Sequence, residues 1–291
     1  MHFAILLCDP ANPTLDRTTV EALRNAWGGG DAVWLNPGIA AEFALPVVPE
    51  NRWAVWQSLQ GIGVDLCIVR QANRLKRLLL ADMDSTMIRQ ECIDELAAEA
   101  GVGARVAGIT ARAMNGELAF DGALRERVAL LKGLPEAVIE RVFTNRITMM
   151  PGGGALVATM RANGARAALV SGGFTAFTGR VAGILGFDEH RANILNIEGG
   201  HLTGTVAEPI LGRAAKVQAL EEITAAMGVA PNDAIAVGDG ANDLGMLHAA
   251  GMGVALHAKP SVQAECDLRI NHGDLTALLY LQGYHAGAFP A

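Results

Sequence analysis

Asp82-Met83-Asp84-Ser85-Thr86 follows directly on the apolar run Leu78-Leu79-Leu80-Ala81, and the architecture can be worked out from this junction. A short, wholly apolar run is typical of a strand buried on both faces of a parallel sheet. Two carboxylates at alternate positions then lie at the carboxyl edge, where open α/β sheets bind ligands. Like charges held side by side there need a cation or a reaction that uses them. An ordinary Asp- and Ser-rich turn is the alternative interpretation.

Two later strand ends carry similar polar residues. Ser171-Gly172-Gly173 follows one apolar run, and Gly238-Asp239-Gly240-Ala241-Asn242-Asp243 follows another. A hydroxyl with backbone N–H groups at a helix start can bind an anion, and two acids with an amide can serve one cation. Taken singly, the first stretch is more often an ordinary glycine turn with a serine cap, and the glycines of the second fit an Asx-rich turn as well as a cation site. Lys216 begins a predicted helix, although a lone lysine is usually only solvated.

Together these side chains indicate phosphoryl transfer. The acidic set supplies hard oxygen ligands, which suit Mg²⁺ and not zinc: Asp82, Asp84, Asp239 and Asp243. Ser171 and Lys216 supply hydrogen-bond donors for a phosphoryl group. A carboxylate is ionised at neutral pH, so it can attack phosphorus without a base to activate it. Mg²⁺ would offset the repulsion between that carboxylate and the phosphate.

The order of predicted elements indicates two units. Residues 1–75 alternate between strands and helices as a small α+β domain, ACT-like or ferredoxin-like, with a linker over 71–77. Residues 76–291 alternate strand and helix, which predicts an α/β fold with a doubly wound, parallel, Rossmann-like sheet. Its strands are predicted at Leu78–Ala81, Arg166–Val170, Ala234–Val237, Gly253–Leu256 and Leu268–Ile270.

Two insertions interrupt the predicted sheet. Amphipathic spacing predicts a helical cap over about residues 88–152, with helices at Gln90–Ala100, Val102–Met114, Phe120–Leu131 and Glu136–Phe143. We expect this cap to close over the carboxyl edge, with residues 151–154 as its hinge. Two strand-like halves around Gly199-Gly200 predict a β-hairpin over about residues 193–209.

Composition narrows the class of partner. The chain has 291 residues, is 51% hydrophobic and carries a net charge of −7 without a Lys/Arg-rich block. A substantial core is therefore expected, and nucleic acid is not expected as the partner. Four dispersed cysteines without a CxxC pair indicate a reducing cytosol. Because neither a signal peptide nor a membrane span is evident, we expect a cytoplasmic protein with a small-molecule substrate, and we allow for a homodimer.

The order Asp-x-Asp-x-Thr, Ser-Gly-Gly, Lys and Gly-Asp-Gly-x-Asn-Asp resembles the haloacid dehalogenase (HAD) superfamily of phosphatases over about residues 78–275. The fuller motifs resemble those of the members that hydrolyse O-phospho-L-serine in the last step of serine biosynthesis. These motifs are Asp82-Met83-Asp84-Ser85-Thr86, Ser171-Gly172-Gly173-Phe174 and Gly238-Asp239-Gly240-Ala241-Asn242-Asp243. The resemblance implies that Asp82 is the nucleophile that forms an aspartyl-phosphate and that Asp84 is the general acid and base. It also implies that Mg²⁺ is held by Asp82, Asp239 and the backbone carbonyl of Asp84, and that Asp243 orients the ion. The residues that it implies for phosphate binding are Ser171, Gly172 and Lys216. Asn242 would position nearby groups.

The same resemblance implies that the cap selects the substrate. Phosphoserine carries an ammonium and a carboxylate, for which Glu91 and Arg127 match the respective partners. The planar fork of arginine can bind a carboxylate through two parallel bonds. Met114 and Phe120 match apolar positions that close the pocket, and Gly172 gives the backbone close access. Solvated helix charges are the alternative for Glu91 and Arg127.

Two other functions stay open at this point. The first is a related phosphatase or phosphotransferase that acts on phosphohomoserine or phosphothreonine. These substrates differ from phosphoserine by one carbon, and an enzyme discriminates such a difference by only about 1–3 kcal/mol. A non-catalytic amino-acid sensor with a decayed phosphatase body would also fit the small first domain. The intact acids and Lys216 argue against the sensor.

Overall fold

A six-stranded parallel sheet carries the junction at residue 81. The computed structural model describes residues 1–114 and 117–290. The strand order is β12-β11-β10-β5-β6-β7, and every pairing in it is parallel. The strands are β5 (Leu78–Ala81), β6 (Arg166–Phe174), β7 (Glu189–Asn193), β10 (Ala234–Gly238), β11 (Met252–Leu256) and β12 (Leu268–Ile270). The chain leaves β5 on one side and returns on the other at β10, which makes a topological switch point between these two strands.

The alternation of β5 explains its apolar sequence. Leu78 and Leu80 pack into the core on one face of the sheet, whereas Leu79 and Ala81 pack into the core on the other. All four side chains are fully buried. The faces are covered by helices α7 (Gly153–Ala162), α8 (Thr175–Leu185), α9 (Arg213–Met227), α10 (Leu244–Ala249), α11 (Pro260–Ala264) and α12 (Ala277–Leu281), with 3₁₀ turns at Pro231–Asp233 and Ala286–Ala288.

The insertion after β5 is helical, as predicted. It contains α3 (Cys92–Glu99), α4 (Gly103–Met114), α5 (Phe120–Ala129) and α6 (Ala137–Arg146). The chain enters and leaves it side by side, because Ile88 and Met149 form an antiparallel bridge. The predicted hairpin consists of β8 (Leu195–Glu198) and β9 (His201–Val206), joined by two glycines with positive φ. Leu202 exchanges backbone hydrogen bonds with Gly133 and Leu134, so the hairpin is attached to the cap.

The first seventy residues form a separate antiparallel sheet of order β2-β3-β1-β4. This βαββαβ arrangement is ferredoxin-like, as predicted, whereas the ACT-like description stays a prediction. Its elements are β1 (His2–Cys8), α1 (Arg17–Ala26), β2 (Val33–Asn36), β3 (Ala40–Leu45), α2 (Arg52–Gln60) and β4 (Val64–Arg70).

This sheet packs directly against the α/β body. The buried carboxylate of Asp65 accepts hydrogen bonds of 2.8–3.0 Å from the backbone N–H groups of Asn271, His272 and Gly273. Arg74, in the predicted linker, donates to the carbonyl oxygen of Leu281 at 2.7 Å and pairs with Glu42. The division into domains at residue 75 stays a prediction.

The sequence prediction was wrong in omitting two strands. β3 has Glu42 at its centre, which breaks the apolar pattern, yet Glu42 is buried and paired with Arg74. β7 lies at the edge of its sheet and is polar except for Ala192, unlike the buried strands. None of the helices in the described part of the chain has both the length and the apolar character that crossing a bilayer requires.

Candidate active site

The carboxyl ends of β5, β6 and β10 open onto one cavity of about 890 Å³. Asp82 comes directly after β5 and Asp239 directly after β10, while Ser171 lies near the end of β6. Nine of the residues predicted from the sequence line this cavity: Asp82, Asp84, Glu91, Phe120, Arg127, Ser171, Gly172, Asp239 and Asn242. Segments distant in the chain therefore meet at one edge because parallel strands end there together.

Lys216 and Asp243 are buried next to Asp82, which lines this cavity. The Nζ atom of Lys216 lies 2.6 Å from Oδ1 of Asp82 and 2.5 Å from Oδ1 of Asp243, and all three side chains are buried. Burial by itself lowers the pKa of Lys216, but the carboxylates of Asp243 and Asp82 outweigh it and raise the pKa above its ordinary value. The lysine is therefore a permanent cation in contact with Asp82.

Three carboxylic acids of the cavity have pKa values above their ordinary range. Burial, with repulsion from Asp243, raises the pKa of Asp82 well above its ordinary value. Burial raises the pKa of Asp84 to about 7, and Glu91 adds to the effect. Burial also raises the pKa of Asp239 to about 7, with Asp243 adding to it. The single charge of Lys216 does not offset these acids, so the site is suited to a further cation.

The donor set fits a divalent metal ion. Carboxylate oxygens of Asp82, Asp239 and Asp243 lie within 4.8 Å of one another. Oxygen-only donors are typical of Mg²⁺ and similar hard cations. Asp243 already accepts from Lys216 and, at 2.9 Å, from the N–H of Gly240. Those bonds suit it to orienting its neighbours.

The loop after β5 aims Asp84 at the first helix of the cap. Ser85 adopts the left-handed region with φ +57°, which is uncommon outside glycine and marks a constrained turn. Its hydroxyl donates to Oε1 of Glu91 at 2.7 Å, and the N–H of Cys92 donates to Oδ1 of Asp84 at 3.2 Å. Asp84 and Glu91 thus share one wall of the cavity.

The end of β6 is shaped by its glycines. Ser171 is buried, and its hydroxyl accepts a hydrogen bond of 2.9 Å from the N–H of Gly173. A Cβ atom at Gly173 would lie 2.6 Å from Oδ2 of Asp84, and one at Gly172 would lie 3.0 Å from Cζ of Phe120. Only glycine therefore lets the acid and the cap approach this loop so closely.

Arg127 of the cap places a cation at the cavity. Arg127 on α5 donates through Nε to the carbonyl oxygen of Ala123 at 3.2 Å. Burial lowers the pKa of its guanidinium, and the acids around it, Asp94 first, oppose that shift. Phe120, about two turns earlier on the same helix, covers Gly172. The side chain of Met114 lies outside the described residues, so its predicted role stays a prediction.

Thr86 and Arg213 are among the residues of this site that sequence reasoning missed. Thr86 is fully buried, and its hydroxyl donates to Oδ1 of Asp239 at 3.1 Å. The signal was present, because Thr86 belongs to the Asp-x-Asp-x-Thr pattern. Arg213 lines the same cavity from the first turn of α9, and nothing in its local sequence distinguishes it from a solvated charge.

Fold and site together define a class of hydrolase. The sequence profile of the haloacid dehalogenase-like hydrolases matches residues 79–248. The chain belongs to the haloacid dehalogenase-like hydrolase family, which confirms the fold class and the resemblance predicted from its motifs. Phosphatases of this family generally use a divalent metal, in agreement with the acidic cluster.

Two relatives with similar sequences have names that specify a substrate, which the family description does not. The chain is 43% identical over 231 residues to a phosphoserine phosphatase of Archaeoglobus fulgidus, covering 79% of this chain and 67% of that one. It is 46% identical over 210 residues to a phosphoserine phosphatase of Albidiferax ferrireducens, covering 70% of this chain and 89% of that one.

Two solved structures are similar in fold. A HAD family hydrolase from Salmonella enterica serovar Typhi matches with a TM-score of 0.86 and 32% identity, over 97% of this chain and 98% of that one. A phospho-aspartyl intermediate analogue of phosphoserine phosphatase matches with a TM-score of 0.66 and 41% identity, over 71% and 98%. The first likeness includes the amino-terminal sheet, since it extends over nearly the whole chain.

Proposed function

We propose that the protein is a Mg²⁺-dependent phosphoserine phosphatase that hydrolyses O-phospho-L-serine to L-serine and phosphate. One observation carries the proposal: Glu91 and Arg127 of the cap line the same cavity as Asp82 and Ser171. An anion and a cation thus stand ready for the ammonium and carboxylate of the substrate, beside groups suited to its phosphate. Relatives named phosphoserine phosphatase support the substrate.

The chemistry proceeds by two displacements at phosphorus. The carboxylate of Asp82 attacks the phosphorus atom, the bond to the serine oxygen breaks, and Asp84 gives its proton to that oxygen. Water then attacks the aspartyl-phosphate, Asp84 takes a proton from it, and phosphate leaves with Asp82 restored. Because burial raises the pKa of Asp84 to about 7, this residue can both give and accept a proton near neutral pH.

Other groups hold the phosphoryl oxygens and the charge. Lys216 keeps Asp82 in place and supplies positive charge at 2.6 Å from it. Ser171 donates a hydrogen bond to the phosphoryl group. Mg²⁺, held by Asp82, Asp239 and the backbone carbonyl of Asp84 and oriented by Asp243, would offset the repulsion between nucleophile and phosphate. Asn242 positions groups at the same edge.

Location and assembly complete the proposal. The four cysteines are unpaired and buried, which supports a reducing, cytoplasmic location. The homodimer and the closure of the cap stay predictions.

The proposal is tested by phosphate release from three substrates: phosphoserine, phosphothreonine and phosphohomoserine. With Mg²⁺ we expect the highest kcat/KM on phosphoserine, by about 10-fold or more, since an extra carbon has to be accommodated in the cavity that Phe120 and Arg127 line. A chelator should abolish release, and added Mg²⁺ should restore it. A higher kcat/KM on either of the larger substrates would reject the substrate assignment.

Replacing Arg127 by alanine should impair phosphoserine selectively. The loss of a partly buried cation that pairs with the substrate carboxylate should lower kcat/KM on phosphoserine by about 100-fold. Release from p-nitrophenyl phosphate, which lacks that carboxylate, should change by less than about 3-fold.

Arg125→Ala is the matched control for this variant. Arg125 lies on the same helix but is exposed and paired with Glu208 at 2.7 Å. It should leave both rates unchanged. Equal losses on the two substrates in Arg127→Ala would contradict the proposed role of Arg127.

A further inference from the structure

Asn193 ends β7 where the pairing of the sheet is irregular. β7 pairs with β6 up to Val170 and again at Phe174, so residues 171–173 form a bulge between these points. Backbone groups in a bulge lose their ladder partners and need others. The buried side chain of Asn193 supplies one, because its Nδ2 donates to the carbonyl oxygen of Gly172 at 2.9 Å.

The peptide unit between Gly172 and Gly173 is consequently held at both ends. Its C=O accepts from Asn193, and its N–H donates to the hydroxyl oxygen of Ser171 at 2.9 Å. Because that hydroxyl accepts the bond from Gly173, its own hydrogen is directed elsewhere. The cavity that Ser171 lines is where a phosphoryl oxygen would accept it.

The side-chain amide of Asn193 is also hydrogen-bonded to the backbone of Leu211. Oδ1 of Asn193 accepts from the N–H of Leu211 at 2.7 Å, and Nδ2 donates to the carbonyl oxygen of Leu211 at 3.2 Å. Leu211 comes two residues before α9, which begins at Arg213 and carries Lys216. One side chain thus joins the loop that holds Ser171 to the segment that leads to Lys216.

We propose that Asn193 is a positioning residue for phosphate binding. It fixes the Gly172–Gly173 peptide and, through that peptide, the direction of the Ser171 hydroxyl. The inference rests on the proposed function for the role of Ser171. An amide is required, because a carboxylate has no N–H and would turn an oxygen toward the carbonyl of Gly172.

The test measures binding of inorganic phosphate by calorimetry in the presence of Mg²⁺. Asn193→Asp should weaken binding by about 10- to 100-fold, as loss of an orienting partner does in other sites. In a Ser171→Ala background the same substitution should cost less than about 3-fold, because the hydroxyl that it misdirects is gone. The matched control is Asn196→Asp on β8, where the amide donates to Thr205 at 2.9 Å, and it should leave binding unchanged.

Two results would overturn the inference: unchanged phosphate affinity in Asn193→Asp, or an equal loss in both backgrounds, which indicates a merely structural role. If the buried charge prevents folding, as judged by thermal unfolding, Asn193→Ala removes the same donors without adding charge and gives the same cycle. Phosphate binding does not depend on the choice of organic substrate. If the effect of Asn193 on phosphate binding depends on Ser171 but phosphoserine is not turned over, only the proposed substrate is rejected. If the wild-type protein binds no phosphate, the proposed function and the role of Asn193 are both rejected.

Discussion

Asp82→Asn should abolish phosphate release from phosphoserine, with kcat falling by at least about 10⁴-fold, as for other covalent nucleophiles. The neutral amide oxygen cannot attack phosphorus, whereas the carboxylate needs no base to do so. The variant should still fold, because asparagine has nearly the same shape. Release of phosphate over hours and thermal unfolding are the two measurements.

The stability of this variant has a predictable sign. Burial raises the pKa of Asp82 in the folded protein, so its ionised form opposes folding at pH values above the unfolded pKa. Without metal, Asp82→Asn should therefore unfold at the same or a higher temperature than the wild type. Asp31→Asn, at an exposed position, is the control and should alter neither property. Undiminished turnover in Asp82→Asn would refute the covalent mechanism.

Lys216→Met should lose both activity and stability. Lys216 lies within 2.6 Å of two buried carboxylates, and the methionine would leave Asp82 and Asp243 facing each other without a countercharge. Breaking a buried ion pair on one side costs about 3–5 kcal/mol in the free energy of unfolding. For a chain of this size, that corresponds to a fall of roughly 10 °C in Tm. Calorimetry without metal measures it.

A second substitution separates the two losses. Asp243→Asn in the Lys216→Met background removes one of the stranded charges, so it should regain part of the lost Tm without restoring phosphate release. Lys132→Met, at an exposed position, is the control for the loss of a lysine. A Tm of Lys216→Met equal to that of the wild type would mean that the buried triad does not exist in solution.

Central strands were predictable where burial on both faces demanded continuous apolar residues. β5 lies between β10 and β6 and was predicted to the residue. β12 was also predicted to the residue, although it lies at the other edge of the sheet, because Leu268 and Ile270 are buried. β7 was not, because an edge strand tolerates the polar sequence Glu-His-Arg-Ala-Asn. β3 was hidden by Glu42, whose charge is paired with Arg74 from a distant segment.

Local sequence was enough to place Asp82, Ser171 and Asp239 at a common edge. An apolar run has to be buried as a strand, and parallel strands of one sheet end on the same side. The contacts of Lys216 with two acids and the three bonds of Asn193 depended on tertiary packing instead. Such bonds join segments that are far apart in the chain, and the distance between these segments is set by how helices and strands pack. Local sequence patterns do not determine that distance.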